Sequence, residues 1–390
     1  MENLHFIAFG KPGSGKSTYL KNQALDDIEA GERAVIYLDP HGEDARELLD
    51  AIPKNRIRDT IYLDASDGDY AVGFEPLDAP HRLVSALKTI FKDSWGPRLE
   101  QGLRNGVAAI VEARLTLHEL CPMFYDERHR MRVLAKVVKP STRTYWLDLF
   151  PTAYNERQQQ EAASPIYNKI DAILASDIHR HLTQKTPKLD FRDVIENRKI
   201  VVVNLATPAI GDDAALVLGS LFTTAFRNAL MTYPDPASFF ADEFQIYGTD
   251  VYLSMLRELR KFGLKLGLAT QTAQGIDPAF LSVILGTVRD VVVFNVSFDD
   301  AKVLAAPMNT IMQDFTADLA NLPPFTAFVN GVRTELPPFR SARRSRDKII
   351  AKSRQLYARR LIIPPPARRQ AEPPSKPSSG LTAARWRRRL

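Results

Sequence analysis

Residues 10–17 read Gly-Lys-Pro-Gly-Ser-Gly-Lys-Ser and stand between an apolar run at 5–9 and a helix-like segment that begins near Lys16. Closely spaced glycines let consecutive backbone N–H groups turn inward around an anion, and the start of a helix favours negative charge. In such a loop the lysine reaches the β- and γ-phosphate oxygens, and the hydroxyl of Ser17 holds Mg²⁺. The sequence therefore predicts a phosphate-binding loop rather than a glycine-rich turn with an incidental lysine. The residues expected to bind the nucleotide are Gly10, Pro12, Gly13, Ser14, Gly15, Lys16, Ser17 and Thr18.

Length and composition are those of a soluble globular protein. The chain has 390 residues, 45% of them hydrophobic, which is enough for one large α/β core and a smaller domain. We find no apolar run approaching 18 residues and no secretory signal at the start, so we expect a cytoplasmic protein that could lie at the periphery of a membrane complex. The single cysteine, Cys121, excludes an internal disulfide framework and is expected to be a small buried hydrophobe.

Charge is divided unevenly along the chain. Residues 340–390 contain 13 Arg and 3 Lys against 2 acidic residues, a net charge of +14 within a chain total of +6, so the other 339 residues carry −8. This segment is also rich in proline, and we predict a disordered basic tail over 340–390, above all beyond about Arg360. It could hold nucleic acid, with Trp386 stacking on a base, or solubilise the chain, or dock on an acidic partner.

Short runs rich in β-branched and aromatic residues alternate with segments of helical periodicity. Most runs are apolar throughout, which is typical of strands covered by helices on both faces. The pattern predicts an α/β fold with a largely parallel, doubly wound sheet. The predicted strands are 5–9, 34–38, 60–63, 199–205, 238–241, 265–270, 290–296 and 325–329. The predicted helices are 17–30, 43–51, 213–231, 249–262 and 278–286.

The stretch from 81 to 190 lacks strand-like runs. Apolar residues there follow helical spacing over 99–117, 126–138 and 155–176. We therefore predict an all-helical domain at 81–190, inserted into a nucleotide-binding core formed by residues 1–80 and 191–335.

Two carboxylates end the predicted strand at 238–241. In the order Asp242-Glu243 they have the form of a Walker B element, in which the aspartate holds the Mg²⁺ and its water shell. The glutamate would polarise the water that attacks the γ-phosphate. Adjacent carboxylates also mark solvated strand ends, but after a phosphate-binding loop we favour the catalytic interpretation. No Asn-Lys-x-Asp guanine-reading motif is present, so ATP is the expected nucleotide.

Two further residues are candidates for the catalytic cycle. Gln271 ends the predicted strand at 265–270, where it could sense the γ-phosphate or simply end the strand. Arg260 lies near the end of the preceding helix, where cations are favoured by the helix dipole. It could instead serve as an arginine finger in a neighbouring subunit's site.

The motif order resembles the HerA/FtsK superfamily of hexameric DNA-pumping ATPases. The phosphate-binding loop is followed by Asp39-Pro40-His41-Gly42, a helical insertion, Asp242-Glu243, Arg260-Lys261-Phe262-Gly263 and then Gln271. This order, with the stretch at 94–100, is most similar to the cytosolic part of type IV secretion (conjugative) coupling proteins of the TraG/TraD kind, over residues 1–335.

The resemblance implies a RecA-like core, ATP and Mg²⁺ as cofactors, a homo-hexameric ring, DNA as the partner and a secretion or relaxase-type protein partner. It also implies that Arg260 acts in trans, with Arg257 and Arg289 as alternatives. Asp39 and His41 have no firm role and could cap the following helix. The loop begins at residue 10, which leaves no room for the membrane helices of coupling proteins, so we expect a soluble DNA translocase. There are two alternatives. One is a kinase, and the other is an ATP-dependent assembly or switch protein that acts on a protein partner.

Overall fold

The fold is built on a nine-stranded mixed sheet. The computed structural model describes residues 4–74, 84, 87–88, 95–153, 179–183, 189–247, 249–305, 315–340 and 343–361. The strands are β1 Phe6–Phe9, β2 Ala34–Asp39, β3 Thr60–Asp64, β4 Tyr70–Ala71, β5 Ile200–Asn204, β6 Ala237–Ala241, β7 Leu264–Thr270, β8 Asp290–Val293, β9 Thr326–Val329, β10 Val332–Glu335 and β11 Arg359–Arg360. The sheet order is β10-β9-β8-β1-β7-β6-β2-β5-β3, and β11 pairs with β4 separately.

Seven neighbouring strands, from β8 to β3 in the sheet order, run parallel. All eight predicted strands lie in this sheet, so the predicted α/β fold with a largely parallel sheet is confirmed. The prediction missed β10, which pairs antiparallel with β9. Asn330 and Gly331 join the two strands with φ of 49° and 83°, the geometry of a tight hairpin turn for which Asn-Gly is a strong sequence signal.

Helices cover both faces of the sheet. Helix α1 spans Lys16–Ala30 and α2 spans Glu43–Ala51. The other α-helices in the described residues are Pro97–Glu112, Pro122–Tyr125, Glu127–Leu134, Pro140–Thr144, Phe150–Ala153, His179–Thr183, Phe191–Glu196, Thr207–Ile210, Asp212–Thr232, Thr249–Glu258, Pro278–Thr287, Phe298–Ala305, Thr316–Ala320 and Arg346–Tyr357. Short 3₁₀-helices span Lys54–Asp59, Leu117–Glu119, Phe244–Tyr247 and Arg260–Phe262, and a π-helical turn spans Tyr145–Leu149.

Successive residues of the central strands face opposite cores. Ile7 and Phe9 of β1 pack into one apolar cluster, whereas Phe6 and Ala8 pack into the other. All four are buried. Because side chains alternate along a strand, a strand buried on both faces must be apolar throughout, which explains the uninterrupted runs in the sequence.

The described residues between 95 and 196 contain helices and no strand. Their aromatic core centres on Trp146, whose ring lies 5.1 Å from that of Phe124 and 4.9 Å from that of Phe150. The indole N–H of Trp146 donates to the carbonyl of Asn105 at 3.2 Å, which joins this core to the Pro97–Glu112 helix. The predicted helix at 155–176 lies outside the described residues, and the domain boundaries stay a prediction.

The Asp212–Thr232 helix is, among the described helices, the one long and apolar enough to cross a membrane by composition. Within the fold, 61% of its apolar window is buried. Ser220 of this helix donates a hydrogen bond to the carbonyl of Tyr247 at 2.6 Å. Packing in the core therefore accounts for its apolar character.

Residues 336–340 and 343–361, here called the C-terminal arm, lie on the face of the sheet that α1 and α2 cover. The amide of Asn22 on α1 donates to the carbonyl of Pro337 at 3.2 Å. Arg340 then pairs with Asp26, and Arg343 with Glu29 at 2.6 Å. The arm thus leaves β10 at one edge of the sheet and runs along α1 through polar contacts.

The arm ends on the opposite edge of the sheet. The Arg346–Tyr357 helix packs on α2 and β3. Its Ser353 hydroxyl accepts from the backbone N–H of Tyr62 at 2.9 Å and donates to the Tyr62 carbonyl at 3.3 Å. The boundary of 340 predicted for the disordered tail is therefore wrong, because Arg346–Tyr357 is a packed helix. Residues 362–390 lie outside the described residues.

This packing predicts a stability effect at Ile349, which is fully buried on the arm helix. Ile349→Ala should lower the free energy of unfolding by about 3 kcal/mol, because it leaves a cavity beneath the helix. The exposed neighbour Lys348 provides the control, and Lys348→Ala should change that energy by less than about 0.5 kcal/mol. Urea denaturation measures both changes in the free energy of unfolding. If Ile349→Ala changes it as little as Lys348→Ala does, the arm helix adds nothing to the stability of the fold.

Candidate functional site

The phosphate-binding loop joins β1 to α1. Gly15 has φ of 109° and immediately precedes the helix, a conformation that side chains rarely adopt. Gly10 is fixed by close contact, because a Cβ there would lie 2.4 Å from the hydroxyl of Ser14. The loop is anchored to its neighbours as well: the N–H of Gly10 donates to Thr270 at 3.1 Å, and that of Lys11 to Asn295 at 2.8 Å.

One polar atom of this loop is unsatisfied. The hydroxyl oxygen of Ser14 is buried and has no hydrogen-bond partner among the described residues. Leaving such a group unpaired costs free energy, and a phosphate oxygen bound at the loop would supply the missing partner. The loop therefore fits an anion that supplies acceptor oxygens, as the phosphate interpretation requires.

The predicted Walker B carboxylates lie directly beside the loop. Asp242 and Glu243 follow the carboxyl end of β6, which is separated from β1 only by β7. The ammonium of Lys16 contacts Asp242 and lies 2.9 Å from Glu243, and all three residues are buried. Ser17 donates to the other oxygen of Asp242 at 2.7 Å. The sheet thus brings together two pairs of residues that the sequence separates by more than 220 positions.

The charges of this cluster stabilise one another. Burial alone would lower the pKa of Lys16, but the carboxylates of Asp242 and Glu243 outweigh it and raise that pKa above its usual 10.5. Burial alone would raise the pKa of Asp242, but the Lys16 ammonium and the Ser17 hydroxyl hold it below its usual 3.8. The Lys16 ammonium is therefore the countercharge that keeps Asp242 ionised in the interior.

Glu243 has an unusual backbone. Its φ is 44°, in the left-handed region that bulky residues rarely adopt, and such strain concentrates at functional positions. Its side chain is held from several sides: one oxygen faces Lys16, and the other accepts from the amide of Gln245 at 2.8 Å and from the backbone N–H of Gln271 at 3.3 Å. The carboxylate is thus positioned by β6 and β7 together.

Gln271 lies where the sequence predicts, at the carboxyl end of β7 beside Glu243, and it is exposed. The residues that follow it are fixed by a group the sequence analysis missed. Asp300, which is buried, accepts from the Thr272 hydroxyl at 2.9 Å and from the backbone N–H groups of Ala273 at 2.9 Å and Gln274 at 3.1 Å. Nothing in the local sequence distinguishes Asp300 from a helix-start carboxylate, so only the fold reveals this anchor.

Arg260 lies away from this site. It stands in the 3₁₀-turn that precedes β7, whereas Gln271 follows the same strand. The seven residues of β7 separate the two edges by about 20 Å. Arg260 is close to His5, whose pKa is lowered to about 4, first by burial and then by the charge of Arg260. Within one chain, Arg260 therefore does not reach its own phosphate-binding loop.

The two alternative arginines lie at or near the edge of the sheet that holds Arg260, opposite the phosphate-binding loop. Arg289 precedes β8 and pairs with Asp290 at 2.7 Å, and Arg257 is exposed at the end of the Thr249–Glu258 helix.

Asp39 has a structural role: it accepts from the N–H of His41 at 2.9 Å and from that of Ala45 at 2.8 Å, which fixes the start of α2. This is the capping alternative considered for Asp39.

Solved structures with a similar fold exist. The bacterial conjugative coupling protein TrwBdeltaN70 superimposes with a TM-score of 0.63 at 16% identity, over 87% of this chain and 86% of that one. The plasmid coupling protein TrwB in complex with ADP and Mg²⁺ gives 0.61 at 15% identity, over 87% and 86%. VirB4 of Thermoanaerobacter pseudethanolicus gives 0.59 at 15% identity, over 87% and 89%.

This chain shares their fold. The likeness covers nearly the whole of both molecules, and it agrees with the α/β core and coupling-protein resemblance predicted from the sequence. No family model matches the sequence, and no curated protein does either. At this identity the comparison shows the fold alone, and the chemistry has to be argued from the residues of this chain.

The ion cluster predicts a pH-dependent stability effect. Lys16→Ala should lower the free energy of unfolding by about 3 kcal/mol at pH 7, because it leaves two buried carboxylates without a countercharge. The contribution should be present between the unfolded pKa values of 3.8 and 10.5. It should vanish as the pH falls through the depressed pKa of Asp242 or rises through the raised pKa of Lys16.

Denaturation at pH 7 and pH 3 tests this effect. Lys11→Ala, at an exposed lysine of the same loop, is the matched control and should be neutral. In an Asp242→Asn, Glu243→Gln background, removal of Lys16 should cost less than in the wild type. A cost that is independent of both the pH and the background would contradict the charge argument.

Proposed function

We propose that this protein is an ATP-hydrolysing DNA translocase of the HerA/FtsK and coupling-protein type. The observation that carries the proposal is the cluster in which Lys16 and Ser17 of the phosphate-binding loop contact Asp242 and Glu243. This pairing of a loop lysine and hydroxyl with two strand-end carboxylates is what hydrolysis of a nucleoside triphosphate requires. The fold shared with a coupling protein solved in complex with ADP and Mg²⁺ supports it.

The residues fit a magnesium nucleotide. The hydroxyl of Ser17 and the carboxylate of Asp242 lie 2.7 Å apart, and oxygens of these kinds are the ligands that Mg²⁺ prefers. When bound, Mg²⁺ would neutralise charge on the β- and γ-phosphates. The loop N–H groups and the start of α1 would hold the phosphates, with Lys16 moving from the carboxylates to the γ end.

Glu243 is suited to act as the general base. Its two partners on one oxygen, Gln245 and the backbone of Gln271, hold the carboxylate at the edge of the sheet where the γ-phosphate would lie. From there it would orient a water for in-line attack and take its proton. Gln271, exposed beside it, would contact the γ-phosphate and sense its loss. Neither residue is needed by a kinase, which transfers the phosphate to another acceptor.

Arg260 would complete the site of a neighbouring subunit. It is exposed, unable to reach its own loop, and flanked by Arg257 and Lys261 at the opposite edge of the sheet. A ring of copies, by resemblance a hexamer, would place one subunit's basic edge against the next subunit's phosphate-binding loop. The positive charge would then stabilise the transition state from outside.

DNA is the proposed substrate of the motor, with a secretion or relaxase-type protein as a further partner and the cytoplasm as its location. The basic residues at 362–390, which follow the C-terminal arm in the sequence, suit contact with phosphates. The second candidate is an ATP-dependent assembly or switch protein that acts on a protein partner. The contact of Lys16 with Asp242 and Glu243 would serve ATP hydrolysis in either kind of protein, which is why this candidate is retained.

Hydrolysis with and without DNA tests the proposal. Wild-type protein should hydrolyse ATP faster with double- or single-stranded DNA, and Glu243→Gln should reduce kcat at least about 100-fold while ATP binding persists, because the general base is lost. Glu32→Gln, at an exposed carboxylate after α1, is the control. A rate that DNA does not change, with Glu243→Gln still inactive, would favour the switch protein.

Mixing of subunits tests the trans role of Arg260. Arg260→Ala should bind ATP normally and lose about 10³-fold in kcat, whereas Arg58→Ala, at another exposed arginine, should not. Addition of Glu243→Gln subunits, inactive themselves but carrying Arg260, should restore turnover at mixed interfaces. An unchanged rate in the mixture would count against a trans role.

A further inference from the structure

Phe325 lies against the phosphate-binding loop, on the side away from the carboxylates. Its N–H donates to the carbonyl of Ser14 at 2.8 Å, and its own carbonyl accepts from the N–H of Leu336 at 2.8 Å. Its Cδ1 atom lies 3.0 Å from the position that a Cβ on Gly15 would take. Both backbone polar groups of this residue are therefore fixed, and its ring is held at the loop.

The backbone of Phe325 is strained, and its side chain is only partly buried. Its φ is 60°, in the left-handed region that a bulky residue rarely adopts, yet the residue is 41% exposed. Phe294 contacts the same glycine position at 3.3 Å but is fully buried, and it packs edge-on against Tyr19. Phe294 is thus a core residue, whereas Phe325 presents an aromatic surface to solvent. Backbone strain of this kind persists at ligand-binding positions.

The sheet order fixes which end of a nucleotide faces Phe325. The γ-phosphate must lie near Lys16, Glu243 and Gln271, on the β7 and β6 side of β1. The nucleoside must then leave the loop on the other side of β1, where β8 and β9 lie. Phe325 immediately precedes β9 on that side.

We propose that the ring of Phe325 is the platform on which the base of the bound nucleotide stacks. This inference rests on the proposed function, since it assigns the nucleoside end of the same site. Stacking on an aromatic face depends little on base identity, because every base has a π-face. Phe325 therefore provides affinity for a nucleoside triphosphate and little discrimination between adenine and guanine.

Binding by the full-length protein in the presence of Mg²⁺ tests the platform, with ATP, GTP and inorganic tripolyphosphate as probes. Phe325→Asn removes the ring but suits a left-handed backbone, so the loop should fold as before. It should raise the Kd of ATP and of GTP by about tenfold and change that of tripolyphosphate by less than about twofold. Phe325→Trp should retain ATP affinity. Phe298→Ala, at an aromatic residue that is 56% exposed elsewhere, is the matched control.

The probes separate the outcomes. If Phe325→Asn weakens ATP and tripolyphosphate by the same factor, the ring supports the shape of the loop and the platform is refuted. If Phe325→Asn leaves the Kd of ATP unchanged while the wild type binds and hydrolyses ATP, the platform alone fails. A wild type that binds neither ATP nor tripolyphosphate would overturn the proposed function with it.

Discussion

The contact of Lys16 with Asp242 and Glu243 is the interaction on which the rest of the molecule depends. Two buried carboxylates side by side are unstable without a positive charge, and the loop lysine supplies it. This contact also ties the first strand of the chain to a strand that begins more than 200 residues later. The charged groups that stabilise this site are also those that would contact a magnesium nucleotide. The same three side chains therefore serve both the stability of the fold and the binding of the ligand.

Strand polarity explains how much of this site could be predicted from the sequence. The apolar runs, the glycine-rich loop and the strand-end carboxylates are local patterns, and parallel strands bring their carboxyl ends to one edge. The same rule separates Arg260 from the loop, because it precedes β7 while Gln271 follows it. What could not be predicted depends on distant contacts. Asp300 and Phe325 acquire their roles from loops far away in sequence, and no spacing or composition marks them.

The C-terminal arm shows how composition can mislead. Its high density of basic residues is typical of a solvated tail, yet several of these arginines pair with acidic residues of α1 and of the loop after β3. The Arg346–Tyr357 helix buries only a few positions, among them Ile349 and Ser353. These are too few to produce a clear periodic pattern in the sequence. Tertiary packing of Ile349 and Ser353, with the ion pairs as a smaller contribution, stabilises this conformation more than intrinsic helix propensity does.

The hydroxyl of Ser353 occupies both backbone polar groups of Tyr62 on β3, the last strand of the sheet on that side. An outer strand normally offers such groups to any extended chain that approaches it. Here the Arg346–Tyr357 helix of the same chain covers the outer side of β3. Copies of the protein therefore cannot join by continuing the sheet past β3. Contacts between copies at this edge have to use side-chain surfaces, so their geometry there depends on charge and shape rather than on backbone pairing.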